Sequence, residues 1–161
     1  MAIDTFLKLG DVDGESQDAT HTKSIDVLSW SWGMSQSGTT HMGGGGGGKV
    51  SVQDIVFSKF VDSSTPTIMK FCCSGKHFEK GLLTVRKAGD NPVEYLKVEM
   101  EDIIISSYGT GGSGDGLDRV QETIGLNFAK CKTIYTMQEQ DGTAGKEIPH
   151  GYDIQKNEPW A

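Results

Sequence analysis

The chain has 161 residues, a formal net charge of −7 and a pI of about 5.0. The length suits one domain with a sizeable core. The acidic balance excludes nucleic acid and anionic membrane surfaces as partners, because both are held by clustered Lys and Arg, and the fifteen here are scattered.

Ile3 to Leu9 reads as a first strand, followed by a polar loop from Gly10 to Lys23. The opening MAIDTFLKLGD has an early Asp4 and no long apolar stretch, so it is not a signal peptide. No run approaches the ~20 apolar residues of a membrane helix. The expected route out of a cell is therefore a dedicated machine rather than a cleaved leader. Ser24 to Gln36 reads as one long strand. Ile25, Val27 and Ser29 share one face, and Leu28, Trp30 and Trp32 the other.

Val50 to Val61 is the next strand, with a change of phase near Gln53 and Asp54 that suggests a bulge or burial on both faces. A single helix follows. Thr65 suits its N-cap, Pro66 its first turn and Gly75 its stop, and Ile68, Phe71 and Cys72 share one face. Leu82 to Lys87, Val93 to Tyr108 and Val120 to Met137 read as strands, the last with Ile124, Leu126 and Phe128 in strict alternation. Glu147 to Ile154 closes the series. The pattern predicts a mainly β fold, an antiparallel β-barrel or two-sheet sandwich with one short side α-helix. It is read as one domain over residues 1–161, with extended glycine-rich loops at about 37–49 and 109–117.

The stretch HMGGGGGGKVSVQDI holds Gly43, Gly44, Gly45, Gly46, Gly47 and Gly48 before Lys49. Its spacing matches the start of a phosphate-binding loop. Such a loop needs a helix after it and a Ser or Thr for Mg²⁺, and here Val50 opens a strand pattern. A tip joining two strands is the better reading, and it is long enough to reach beyond its own domain. DVDGES, Asp11 to Ser16, hints at a calcium loop, but its glycine stands at position four and Thr22 occupies position twelve. Cys72 and Cys73 are adjacent, which suits neither a zinc pair nor a disulfide framework, so reduced thiols and a cytoplasm are expected. Gly33-Met34-Ser35-Gln36-Ser37 lacks the second glycine of a nucleophile elbow. No motif links His21, His41, His77 or His150 to a nucleophile. No catalytic residue, metal or cofactor is therefore assigned.

The segments FLKLGDVDGES, IDVLSWSWGMSQSG, TP…CCSGKHF, VEYLKVEMEDIIISSYGTGGSGDG and ETIGLNFAK, together with the glycine-rich tip, resemble the Hcp family of bacterial type VI secretion. The likeness runs in order from Met1 to about Tyr135, and Met137 to Ala161 is not matched closely. It implies a β-barrel subunit of six-membered rings that stack into a secreted tube, made in the cytoplasm and exported. It also implies effector proteins carried and chaperoned in the lumen, with spike, sheath and baseplate proteins as further partners. Within that frame, Gly43–Gly48 is the candidate ring-stacking loop. Ser31, then Ser29, are the candidate lumen positions, since both flank Trp30 and point away from its side. The competing readings are a monomeric β-barrel binding module with a small-ligand interior and a small hydrolase.

Overall fold

The computed structural model describes residues 3–38, 48–87, 89, 92–114 and 119–160. The strands are β1 (Ile3–Leu9), β2 (Ile25–Asp26), β3 (Ser29–Ser31), β4 (Met34–Gln36), β5 (Val50–Val52), β6 (Ile55–Phe60), β7 (Phe78–Lys87), β8 (Glu94–Gly111), β9 (Gln121–Gln138), β10 (Ala144–Asp153) and β11 (Glu158–Pro159). The helix α1 spans Thr65–Ser74, between β6 and β7. Every pairing is antiparallel, as the local connections predicted.

The main sheet runs β11-β10-β9-β8-β7-β1-β2. β9 is long enough to serve two partners on one edge. Its first half pairs with β6, from Leu126 to Gln121, and its second half with β10, from Gln138 to Lys130. β6 carries β3 on its other side.

The sheet is not closed into a barrel. The single strand expected over Ser24–Gln36 is three short pieces, and the break between β2 and β3 interrupts the ladder. Val27 N–H bonds Thr5 O in β1 at 3.0 Å, and Leu28 N–H bonds Ser58 O in β6 at 2.8 Å. One stretch of chain thus crosses from one edge of the sheet to another. Its Leu28, read as sharing a face with Trp30, stands exposed at the crossing, while Trp30 packs against the core. β4 and β5 form a separate two-stranded ribbon.

Alternation decides the core. Ile124, Leu126 and Phe128 of β9 point inward with Ile55 and Phe57 of β6, and all five are buried. Leu7, Leu83, Val98, Met100 and Ile103 complete the same cluster. Each such side chain contributes about 1.5–3 kcal/mol on burial. Ile68 anchors α1 to this core at 0 % exposure, and Phe71 packs on Phe78 with ring centroids 4.1 Å apart. Cys72 is half-buried and Cys73 exposed, as their helix phase implied.

The cap of α1 differs from the expectation. Ser64, not Thr65, occupies the N-cap position, with Thr65 the first helical residue. The Thr65 hydroxyl is recruited elsewhere: it accepts from Asp62 N–H at 3.1 Å and donates to Glu122 Oε1 at 2.8 Å. Gly75 ends the helix as predicted, at φ 67°, with its N–H on Phe71 O at 3.0 Å.

The second glycine-rich stretch is more regular than expected. Gly109, Thr110 and Gly111 still belong to β8, paired with Thr123, Glu122 and Gln121. β7 starts at Phe78, four residues before the strand read from sequence. The segment after Met137 also has a definite course. It forms β10 and β11, and Trp160 N–H bonds Gly151 O at 3.0 Å.

Candidate functional site: a hydroxyl-lined sheet face

Ser29 and Ser31 are both exposed, while Trp30 between them packs against the core. The structure therefore bears out the phase that set the two serines apart from the tryptophan. Register places further residues beside them. Ser29 lies opposite Ser58, with the two hydroxyls 2.5 Å apart, and Ser58 lies opposite Thr123, which lies opposite Gly109. Ser31 lies opposite Val56, then Gly125, then Ser107. These two rows cross β3, β6, β9 and β8 and make one face of small side chains, mostly hydroxyls, with exposed Val56 as its apolar member.

Gly125 is narrow for a reason. The ladder slips between Ile105 and Ser107, so Ser106 and Ser107 together oppose it. A Cβ on Gly125 would lie 2.5 Å from Ser107 Oγ and 2.8 Å from Ser106 Oγ. At the margin of this face stands Asp54. Its carboxylate accepts from Ser106 Oγ at 2.6 Å and from Asn127 Nδ2 at 2.8 Å. Ser58, Thr123 and Ser107 escaped sequence reasoning because only strand register brings them beside Ser29 and Ser31. The hydroxyl-rich outward phase was the available signal.

Directly beneath, the next pair in register, Lys59 and Glu122, points inward and is fully buried. Lys59 Nζ pairs with Glu122 Oε1 and with Asp62 Oδ1 at 2.8 Å. Tyr108 OH donates to Glu122 Oε2 at 2.6 Å. Burial and the neighbouring Glu122 carboxylate push the Tyr108 phenol up to about 12. Burial works to raise Asp62, but bonds from Lys59 and Ser64 outweigh it and hold this carboxyl below its usual range.

Of the glycine run, Gly48 is within the described residues, and Gly43, Gly44, Gly45, Gly46 and Gly47 lie outside them. Gly48 sits at the closed end of the β4–β5 ribbon beside Gly38.

Two acid–histidine pairs went unseen in the sequence. His21 Nε2 lies 2.6 Å from Glu94 Oε1, with its ring stacked on Phe6. His77 Nδ1 lies 2.6 Å from Asp102 Oδ1 on the exposed surface. Among the described residues no hydroxyl or thiol bonds either imidazole, and no three potential metal ligands gather. Arg86 clamps the loop that holds His21, through Asp18 and through Asp4 at 3.3 Å, and holds the Asp18 carboxyl well below the usual range. These contacts fix the loop to the sheet. A groove of about 770 Å³ lies between α1 and residues 10–13, outside the core.

The chain is thus an open antiparallel sheet with one side helix and an outer face rich in serine and threonine hydroxyls. Comparison with known proteins identifies its kind. Residues 6–135 match the family model described as "Type VI secretion system effector, Hcp". The chain is 54% identical over 160 residues to protein hcp1 of Pseudomonas aeruginosa strain PAO1, covering 98% of each. Its fold matches the crystal structure of Hcp1 from Salmonella typhimurium with a TM-score of 0.84 at 41% identity, covering 99% of this chain and 100% of that one. A type VI secretion system effector from Yersinia pestis matches with a TM-score of 0.77 at 32% identity, over 94% and 100%. The chain belongs to the Hcp family of type VI secretion system proteins. No helix among the described residues is long and apolar enough to cross a membrane.

Proposed function

We propose that this chain is a structural tube subunit, not an enzyme: it forms hexameric rings, the rings stack into a tube, and effector proteins ride in the lumen. The observation that carries this reading is the hydroxyl face of β3, β6, β9 and β8, which holds Ser29 and Ser31 in a family of secreted proteins. A face without a catalytic cluster suits a wall that touches cargo. Exposed Met34, Tyr135, Met137 and Ile148 support association, since apolar side chains gathered at a surface mark contact sites. Tyr135 and Ile148 are paired neighbours on β9 and β10. A head-to-tail contact between different patches closes into a ring after a fixed rotation. The glycine run is the proposed ring-to-ring contact. Spike, sheath and baseplate proteins are the proposed further partners, and export from the cytoplasm through that apparatus is the proposed route.

The test is the solution mass by light scattering with negative-stain images of the same sample. A mass of six subunits and ring-shaped particles are expected. A monomer at every concentration, in the presence of the other tube components too, overturns the reading. Ser31→Trp adds bulk to the face without touching the core. It is expected to leave the ring mass unchanged and lower effector co-purification, and unchanged co-purification removes Ser31 from the cargo face. A monomeric module with a ligand in its interior has less support, because Ile55, Phe57, Ile124 and Leu126 are packed together in the buried core.

A further inference from the structure

Gly48, the last glycine of the run, lies within the described residues and has a definite setting. The β4–β5 ribbon closes at Ser37 and Lys49. Lys49 N–H donates to Ser37 Oγ at 3.1 Å, and Ser37 Oγ donates to Lys49 O at 3.3 Å. One residue further out, Gly38 N–H donates to Gln36 Oε1 at 3.1 Å. There the two backbones touch. A Cβ on Gly48 would overlap Gly38 N and lie 2.5 Å from Gln36 Oε1 and 2.6 Å from Gly38 Cα. A clash with backbone on the opposite strand is not relieved by turning a side chain. By contrast, a Cβ on Gly109, Gly111 or Gly114 would meet nothing within 4 Å, so contact does not demand glycine there. Gly48 is therefore glycine for fit.

We propose that Gln36, Gly38 and Gly48 form a positioning neck: they hold the point where the chain leaves and re-enters the ribbon, and ring stacking depends on that fixed origin. This inference rests on the reading of the glycine run as the stacking contact. A contact made by a long loop loses its aim when both of its roots swing, so ordering the roots in advance lowers the cost of docking. Gln36 accepts the one N–H that orients Gly38, and Gly48 allows the close approach that Gln36 then locks. Ser37 and Lys49 close the last pair of the ribbon below them.

The experiment uses the full chain as the sole copy of the subunit in bacteria that carry the secretion apparatus. Subunit released into the medium is compared with subunit in the cell, and purified rings are weighed by light scattering. Gln36→Ala and Gly48→Ala are expected to lower release at least about fivefold, the scale of one lost positioned hydrogen bond. Ring mass and the thermal unfolding midpoint stay at the parent values. Gln36→Glu keeps an oxygen acceptor for Gly38 N–H, and is expected to restore release to within about twofold of the parent. A variant lacking Gly44–Gly47 is run beside them. If it is not released while both neck variants are, the neck inference falls and the loop reading stands. If the shortened chain is released like the parent, the loop reading falls and the neck with it. Loss of ring mass in the neck variants also overturns the inference, because the neck then belongs to the ring interface.

Discussion

Lys59 is among the largest fully buried side chains, and its ammonium group meets Glu122, Asp62 Oδ1, Phe60 O and Thr65 Oγ1 within the fold. Two charges taken from water are held together only if both remain. Lys59→Met is expected to destabilise by about 3–5 kcal/mol in urea unfolding, because Glu122 is left charged and unpaired. Lys59→Met with Glu122→Leu is expected to cost less than that single change; a larger cost would show that the pair contributes net stability. The two shifted groups predict how stability varies with pH. The Asp62 carboxyl is lowered in the fold, so its contribution is present above its ordinary 3.8 and is lost as pH falls through the folded value. The Tyr108 phenol is raised from 10.0 to about 12, so its contribution is present below 10 and is lost as pH rises towards 12. Tyr108→Phe is expected to remove that alkaline loss from the pH dependence of the unfolding midpoint. An unchanged alkaline limb would assign the loss to another group.

Among the elements, α1 hangs on Ile68. Ile68→Ala is expected to cost about 2–5 kcal/mol, with hydrogen exchange across 65–74 rising before that of β9. Equal acceleration of both would mean that the helix is no separate unit. The C-terminal β11 depends on Gly151, because a Cβ there would overlap Trp160 O. Gly151→Ala is expected to free Trp160 from its place beside Lys130 and shift its fluorescence to the red, with β1 to β9 unaffected. The elements themselves were largely legible. Ile124, Leu126 and Phe128 announced β9 by alternation, and Pro66 and Gly75 bounded α1. The Ser24–Gln36 stretch misled because its apolar phase shifts at Val27 and Leu28, where its partner changes from β1 to β6, while the residues on both sides of that step still read as strand. The N-cap misled because Thr65 has a stronger use, 57 positions away at Glu122. Ser29 and Ser31 were readable as a phase. Ser58, Thr123 and Ser107 were not, since register joins residues far apart in the chain.

For the whole molecule, the chain's net charge of −7 contrasts with its hydroxyl face, where the marginal carboxylate of Asp54 is held by Ser106 and Asn127. Under the proposed function, cargo held on such a face is expected to survive a rise from 0.1 to ~1 M salt, a range over which the screening length falls from about 10 to 3 Å. Release by salt alone would point to charged contacts elsewhere. The cysteines are all free, and burial pushes the Cys131 thiol up to about 11, so at neutral pH alkylation is expected at exposed Cys73 before Cys131. Equal labelling of both would show that Cys131 is open to solvent.

The order of strands also sets a timetable for biosynthesis. β1 pairs with β2 at only two positions, and its full partner, β7, ends at Lys87. β6 waits longer still, for β9 at residues 121–126. At ~5–20 residues per second, the ribosome leaves the first strands without their neighbours for several seconds. The emerging chain is then a set of bare edges and apolar stripes, and its sheet is completed only once most of the protein has been made. A cell that makes this chain in quantity must keep nascent copies apart until each sheet is complete.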